Sequence, residues 1–208
     1  MAKHQHPKQY HHGDLKVALI INATQIVKDQ GIEQLSLRKL AEQIGVSRTA
    51  AYHHFNNKHD LLCAIAAQGF IELNTLTNTV LSCTKITAEQ QFERFAHSYL
   101  TFATENPAIY HLMFGNTLWQ QGQPTASLRN IALPSFGQQV NIIKTWQAAN
   151  LFQQHEEPVR LAQVLWGTLH GIAQLINDGV YHDSKNITAL INSIVTLFIS
   201  KTPQISSK

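Results

Sequence analysis

The sequence predicts an all-α protein of about nine helices, a three-helix N-terminal unit followed by a larger helical bundle. Three observations carry that reading. Apolar residues recur at three- and four-residue spacing along most of the chain, with no convincing strand and no internal repeat. Residues 36–58, SLRKLAEQIGVSRTAAYHHFNNK, read as two short helices around a tight turn. A composition of 44% hydrophobic and 14% charged residues over 208 positions suits one or two packed domains rather than disorder.

A first helix is predicted from about Gly13 to Gln30, with Val17, Ile20, Ile21, Thr24 and Val27 as its buried stripe and Gly31 as its stop. Ser36 offers an acceptor oxygen to the next helix start, whose amides lack partners, and Leu37, Leu40, Ala41 and Ile44 form one apolar face. Gly45 ends that helix where a left-handed backbone is cheapest, Val46 fills the corner, and Ser47 caps the following helix. Ala41 is small enough for two helices to cross closely at roughly 90–120°. In the helix from about Arg48 to Phe55, Ala51 and Phe55 face the core while Arg48, Thr49, Tyr52 and His53 lie on the other side. A long helix from Lys58 to about Leu81 repeats Leu62, Ile65, Ala66, Gly69, Leu73, Leu76 and Val80 at helical spacing.

Thr87 caps a helix to about Glu105, and Asn106-Pro107 breaks it; Pro107 suits the first turn of a short helix to about Phe114. Gly115 to Pro124 reads as the clearest loop. The next helix is interrupted near Pro134 and continues to about Phe152. Pro158 opens a helix to about Asp178 that Gly179 closes, and the last runs from about Ser184 to Ser200 before a frayed tail. In these two, Ala162, Leu165, Trp166, Leu169, Ile172, Ala173 and Ile176 form one stripe, with Gly167 and Gly171 beside it. Ile187, Leu190, Ile191, Ile194 and Phe198 form another, widened by Val195, Leu197 and Ile199. Helices apolar over so much of their surface need cover on more than one side: the subunit's own core takes one and a second copy can take the other, the alternative being deep core helices with no partner.

The helix after Ser47 is too short and polar to stand alone, and its outer face mixes a cation, a hydroxyl, a phenol and an imidazole. Such a face suits the DNA major groove, which admits one helix; the bland alternative is a helical hairpin with a solvated face. Arg48, Thr49, Tyr52 and His53 are the candidates for the groove, with Ser47 at the helix start and Arg38 and Lys39 placed for phosphates or a flanking base. Charge agrees. Residues 1–60 hold eight Lys and Arg against five Asp and Glu, whereas residues 61–208 hold eight of each, so the whole +3 excess sits on the first part.

The residues Arg38-Lys39-Leu40-Ala41, Gly45-Val46-Ser47, Tyr52-His53-His54-Phe55, Asn57-Lys58 and Leu61-Leu62 together resemble the DNA-binding domain of the TetR family of bacterial transcriptional repressors. Tyr10-His11-His12-Gly13-Asp14-Leu15 resembles a leader found in one subgroup of it. Where the family commonly has Gly-Thr-Leu or Gly-Thr-Ile before the Tyr, this chain has Thr49-Ala50-Ala51, a departure that leaves the fold in place and the base contacts open. The resemblance implies a helix-turn-helix DNA-binding domain over residues 1–57 and a helical ligand-binding and dimerisation domain over 58–208. It also implies backbone or groove-edge contacts from Tyr52, His54 and Lys58. The run Trp166-Gly167-Thr168-Leu169-His170-Gly171 resembles a C-terminal domain type of the same family, which commonly pairs subunits through a four-helix bundle. The expected interface is Trp166, Gly167, His170, Gly171, Ile187, Leu190, Ile191, Ile194 and Phe198.

The expected partners are therefore double-stranded DNA, a second copy of the chain and an unknown small-molecule effector; no cofactor is expected. Candidate pocket residues are the aromatic and neighbouring groups Phe95, Tyr99, Phe102, Tyr110, His111, Met113, Phe114, Trp119 and Trp146, which can equally be plain core. A metal-dependent helical enzyme is the competing class, because Glu93 and His97 stand four apart in a helix that also carries Glu89 and Glu105. No second helix completes such a site with the Glu-x-x-His pattern, and no nucleophile motif occurs. A non-specific architectural DNA-binding protein is the other alternative, disfavoured by the neutral remainder of the chain. His4, His6, His11 and His12 do not have structural-zinc spacing and read as part of a flexible arm near DNA. Cys63 and Cys83 read as small apolar groups rather than a disulfide pair. The polar start MAKHQHPKQYHHGD lacks a secretion signal's apolar core, and Gln68 and Glu72 interrupt the best membrane-span candidate, so a cytoplasmic location is expected.

Overall fold

The computed structural model describes residues 12–120, 122–181 and 187–199. The arm up to His11, with His4 and His6, lies outside them, as do Ser184 and the predicted frayed tail. Among the described residues there is no strand. The helices are α1 His12–Gln30, α2 Leu37–Gln43, α3 Arg48–His54, α4 Lys58–Leu81, α5 Ala88–Glu105, α6 Pro107–Phe114, α7 Asn116–Trp119, α8 Ala126–Ala148, α9 Pro158–Asn177 and α10 Ile187–Phe198, with a 3-10 turn at Ile32–Gln34. The predicted all-α architecture is thus observed, with one extra helical turn, α7, inside the stretch expected as loop. That turn forms because Leu118 is buried and the Trp119 indole donates to the Met113 carbonyl oxygen at 2.7 Å.

Packing divides the chain into two units, each with its own core. The first comprises the described residues to Ile71 with Asn106–Ala132, and the second Glu72–Glu105 with the described residues from Leu133 onward. They are not the sequence-defined stretches 1–57 and 58–208, since α4 and α8 each have residues in both.

In the first unit α1 packs on α2, α3 and α6. Its buried stripe is Leu15, Leu19, Ala23 and Val27. Of the expected stripe Val27 is buried and Ile20 and Thr24 are half-buried, but Val17 and Ile21 are 55% and 62% exposed. α1 carries aliphatic residues on several sides, so periodicity allows more than one stripe, and packing selects the strict four-residue series. Leu37, Leu40 and Ala41 of α2 meet Ala51 and Phe55 in the core, as their spacing predicts. Ser36 occupies the cap position of α2 with an extended backbone, but its side chain makes no capping hydrogen bond. Leu61, Leu62, Ile65 and Ala66 anchor the start of α4, and each fully buried leucine contributes on the order of 1.5–3 kcal/mol. α6 approaches α4 closely at Gly69: a Cβ there would lie 2.6 Å from Met113 Sδ and 3.0 Å from Ile109 Cγ2.

In the second unit α5 packs on α9 and α10. Phe92 stands edge-on to Trp146 and Phe152, with ring centroids 5.2 and 5.0 Å away, and these rings centre the core. Thr87 caps α5 reciprocally with Gln90: its hydroxyl accepts from the Gln90 amide at 3.2 Å, and Gln90 Oε1 accepts from the Thr87 amide at 3.0 Å. α8 runs unbroken through Pro134, contrary to the expected interruption. Pro134 and Asn130, whose carbonyl loses its helical partner, both face solvent, so water can replace the missing bond. α8 ends at Ala148, short of Phe152, because Asn150 turns left-handed (φ 58°) and Leu151 donates back to the Trp146 carbonyl at 2.9 Å. Cys63 and Cys83 are free thiols, and burial pushes the Cys63 thiol above its ordinary range.

Candidate functional site

The turn between α2 and α3 fixes the orientation of α3. Gly45 adopts φ +75°, the Val46 amide donates to the Ala41 carbonyl at 3.0 Å, and the Gly45 amide to that of Glu42 at 3.2 Å. Ser47 then starts α3, its hydroxyl accepting from the Ala50 amide at 3.1 Å. With Ala51 fully buried and Phe55 nearly so, α3 can present only one face outward. That face holds Arg48, Thr49, Tyr52 and His53, all exposed, with Tyr52 at 48%. Arg38 and Lys39 are exposed on α2, and Ser47 is exposed at the start of α3.

Two cations have local partners. Arg48 Nη2 lies 3.3 Å from Glu42 Oε1, with both side chains more than half exposed. Such a surface pair is worth roughly 0–1 kcal/mol, so a phosphate or base edge can displace it. Half-buried Lys58 donates to the Glu33 carbonyl oxygen at 3.4 Å, which holds its ammonium at the start of α4. Asn57 caps that helix by accepting from the Asp60 amide at 2.9 Å. His54 is half-buried, its ring edge-on to His53 at 5.6 Å.

The structure divides the predicted pocket set. Phe95, Tyr99 and Trp146 line one small cavity in the second unit, together with Gln139, Ile142, Ile143, Ala162, Leu165, Trp166 and Leu169. Its free volume is about 10 Å³, room for about one water. Phe102 is buried on α5 but does not line it. Tyr110, His111, Met113, Phe114 and Trp119 belong to the first unit instead. There Tyr110 and Met113 are fully buried, His111 is exposed, and Phe114 packs against Phe70 at 5.2 Å. The sequence showed aromatic spacing but not that Asn106-Pro107 redirects the chain into the other core. Ile142, Ile143 and Trp146 follow helical spacing, the signal by which the additional α8 wall could have been found.

Among the expected interface residues, Ile191 and Ile194 are 1% and 3% exposed and serve the subunit's own core. The others are half-buried or exposed. Trp166 donates its indole N–H to the Tyr99 hydroxyl at 3.0 Å and so also belongs to the cavity wall. Phe198 packs against Phe92 and Phe152. A Cβ on Gly167 or Gly171 would meet nothing within 4 Å. Burial lowers the His170 pKa below its ordinary value. Val164 at 59% and Leu197 at 82% exposed lie on the same two helices.

The acid/base candidates do not assemble. Glu93 and His97 are exposed, His97 pairs with Thr101 at 3.2 Å, and no group of three His, Cys, Asp or Glu among the described residues is placed to hold a metal. No helix among the described residues is long and apolar enough to cross a membrane.

Comparison with known proteins bears on both halves. Residues 19–65 match the family of bacterial regulatory proteins called tetR, and residues 92–198 match a tetracyclin repressor-like C-terminal domain. The tetracycline repressor protein class C of Escherichia coli is 47% identical over 49 residues, 24% of this chain and 22% of that protein. The nucleoid occlusion factor SlmA of Vibrio campbellii is 32% identical over 98 residues, 46% of this chain and 48% of that protein. Each match thus spans less than half the relative's length. Among solved structures, a protein of unknown function from Rhodococcus sp. RHA1 superposes with a TM-score of 0.79 at 28% identity, covering 93% of this chain and all of that one.

Proposed function

The chain belongs to the TetR family of bacterial regulatory proteins, DNA-binding regulators of transcription, and from that premise we propose that it works as a cytoplasmic homodimeric repressor released from its operator by a small molecule. One observation carries the DNA half of this reading. Ala51 and Phe55 turn α3 so that Arg48, Thr49, Tyr52 and His53 all stand outward, while Arg38 and Lys39 are exposed on α2. A twofold dimer sets two such helices about 34–36 Å apart, or a multiple of that, and so selects a near-palindrome.

Release follows from linkage. A ligand in the C-terminal half shifts α4, a single helix from Lys58 to Leu81, and changes the separation of the two α3 helices. A difference of about 1–3 kcal/mol between ligand affinities in the two states changes DNA affinity about 5- to 150-fold. Repressor and ligand release extend the family assignment; no enzymatic role is part of it.

The test is a fluorescence-anisotropy titration of the full chain on duplexes tiled from the DNA upstream of its own gene, with scrambled duplexes in parallel. One tile containing an inverted repeat should bind far more tightly than its scramble. Uniform affinity for all duplexes points to architectural binding and rejects the repressor reading, as does failure of the folded protein to bind any palindrome at low salt.

A further inference from the structure

The cavity of the second unit is built for a particular chemistry. None of its ten lining residues is charged, and nine are aliphatic or aromatic. Gln139 supplies the one amide. Burying an unpaired charge among such groups is prohibitive, so an ionic ligand has no counter-charge in this wall. A second observation points to what the wall lacks. Trp146, one of the ten, is 1% exposed, yet its indole N–H has no hydrogen-bond partner. Buried donors in native proteins are nearly always satisfied, and an exception in a cavity wall marks a place where an outside acceptor belongs. The indole is a donor only, so the complementary group is a lone-pair oxygen or nitrogen rather than a hydroxyl acting as donor.

The way in is also legible. Eight of the ten lining residues are buried, and the two that are not, Gln139 and Trp166, form the rim. Trp166 is held by its bond to the Tyr99 hydroxyl at 3.0 Å. About 10 Å³ of free volume admits no organic molecule, so occupancy requires the rim to swing outward and that bond to break. A ligand that opens the cavity therefore changes the α5–α9 contact directly.

We propose that this cavity is the effector site and takes an uncharged, largely apolar molecule carrying a carbonyl-type acceptor, which receives the Trp146 N–H. The proposal rests on the reading of the chain as a ligand-released regulator and adds the chemical class of the ligand.

Three planar probes of nearly equal shape separate the contributions: acetophenone (neutral acceptor), α-methylstyrene (no acceptor) and benzoate (charged acceptor). Each is titrated into the full chain, free of DNA, while the indole N–H resonances of Trp119, Trp146 and Trp166 are followed by ¹H–¹⁵N NMR. The expected result is a saturable shift of the Trp146 resonance with acetophenone. Its affinity should exceed that of α-methylstyrene by about 5- to 10-fold, the worth of one net hydrogen bond. Trp146→Phe should erase that preference while still binding α-methylstyrene. Tightest binding by benzoate, equal binding of the two neutral probes to the unaltered chain, or no saturable shift with any probe overturns the proposal. Anisotropy on the operator duplex then separates the two readings. Acetophenone that binds as expected but leaves DNA affinity unchanged removes the release mechanism and keeps the ligand class, whereas specific DNA binding with no probe bound removes the ligand class and keeps the DNA-binding half of the functional reading.

Discussion

Arg48 and Lys58 are both cations, Arg48 on α3 and Lys58 at the start of α4, and their surroundings suit them to different tasks in the proposed DNA complex. Arg48 is held only by an exposed pair with Glu42, so its guanidinium is free to fork onto a guanine edge. Lys58 is half-buried and tethered to the Glu33 carbonyl, a fixed point charge that suits a phosphate contact in the proposed complex. Arg48→Ala should weaken the specific duplex by about 1–3 kcal/mol and relax discrimination there, with folding stability changed by less than about 0.5 kcal/mol. Lys58→Ala should weaken specific and scrambled duplexes alike and reduce the slope of log affinity against log salt by about 1. Anisotropy at several salt concentrations reads both; equal losses with unchanged slopes would reject the two roles. Outward side chains of this kind were legible in the sequence, because Ala51 and Phe55 fix the phase of so short a helix. Ile191 and Ile194 were not, since in a helix apolar on two sides the residue type alone does not say which side is covered by the same subunit.

At the scale of elements, the breakers and caps gave most boundaries directly: Gly45, Thr87, Pro107, Pro158 and Gly179 each do in the structure what their chemistry suggests. What spacing could not supply was phase in α1, where several stripes compete, or continuity at Pro134, where solvent replaces a lost bond. Nor could it show that α6 shares a core with α1. That last contact makes a test. A Cβ on Gly69 would press on the Sδ of fully buried Met113 and on Ile109 Cγ2, so these side chains would have to shift. Overpacking costs about 1–3 kcal/mol, partly offset by the roughly 1 kcal/mol helix preference of alanine over glycine. Gly69→Ala should therefore lower the thermal midpoint by a few degrees. Gly137→Ala, in open space midway along α8, should raise it. Calorimetry on the two variants reads opposite signs; two stabilised proteins would remove the close approach of α6 to α4.

For the whole molecule, the decisive matter is whether two subunits join through α9 and α10. These helices keep Ile191, Ile194, Leu165 and Leu169 for their own subunit, yet leave Val164 and Leu197 exposed and open space above Gly167 and Gly171. A large side chain at either glycine is harmless within one subunit and obstructive to a second helix lying there. Gly167→Leu with Gly171→Leu should fold with a thermal midpoint within a few degrees of the parent, yet sediment near the 23.4 kDa of a single chain. Operator affinity should fall with it, because two joined α3 helices bind the second half-site at an effective concentration that separate subunits lack. Binding to a single half-site should change little. A variant that stays dimeric places the joint on some other surface. A monomeric variant that still holds the full operator as tightly as the parent would mean that one α3 helix suffices, and the twofold reading of the DNA site would have to be given up.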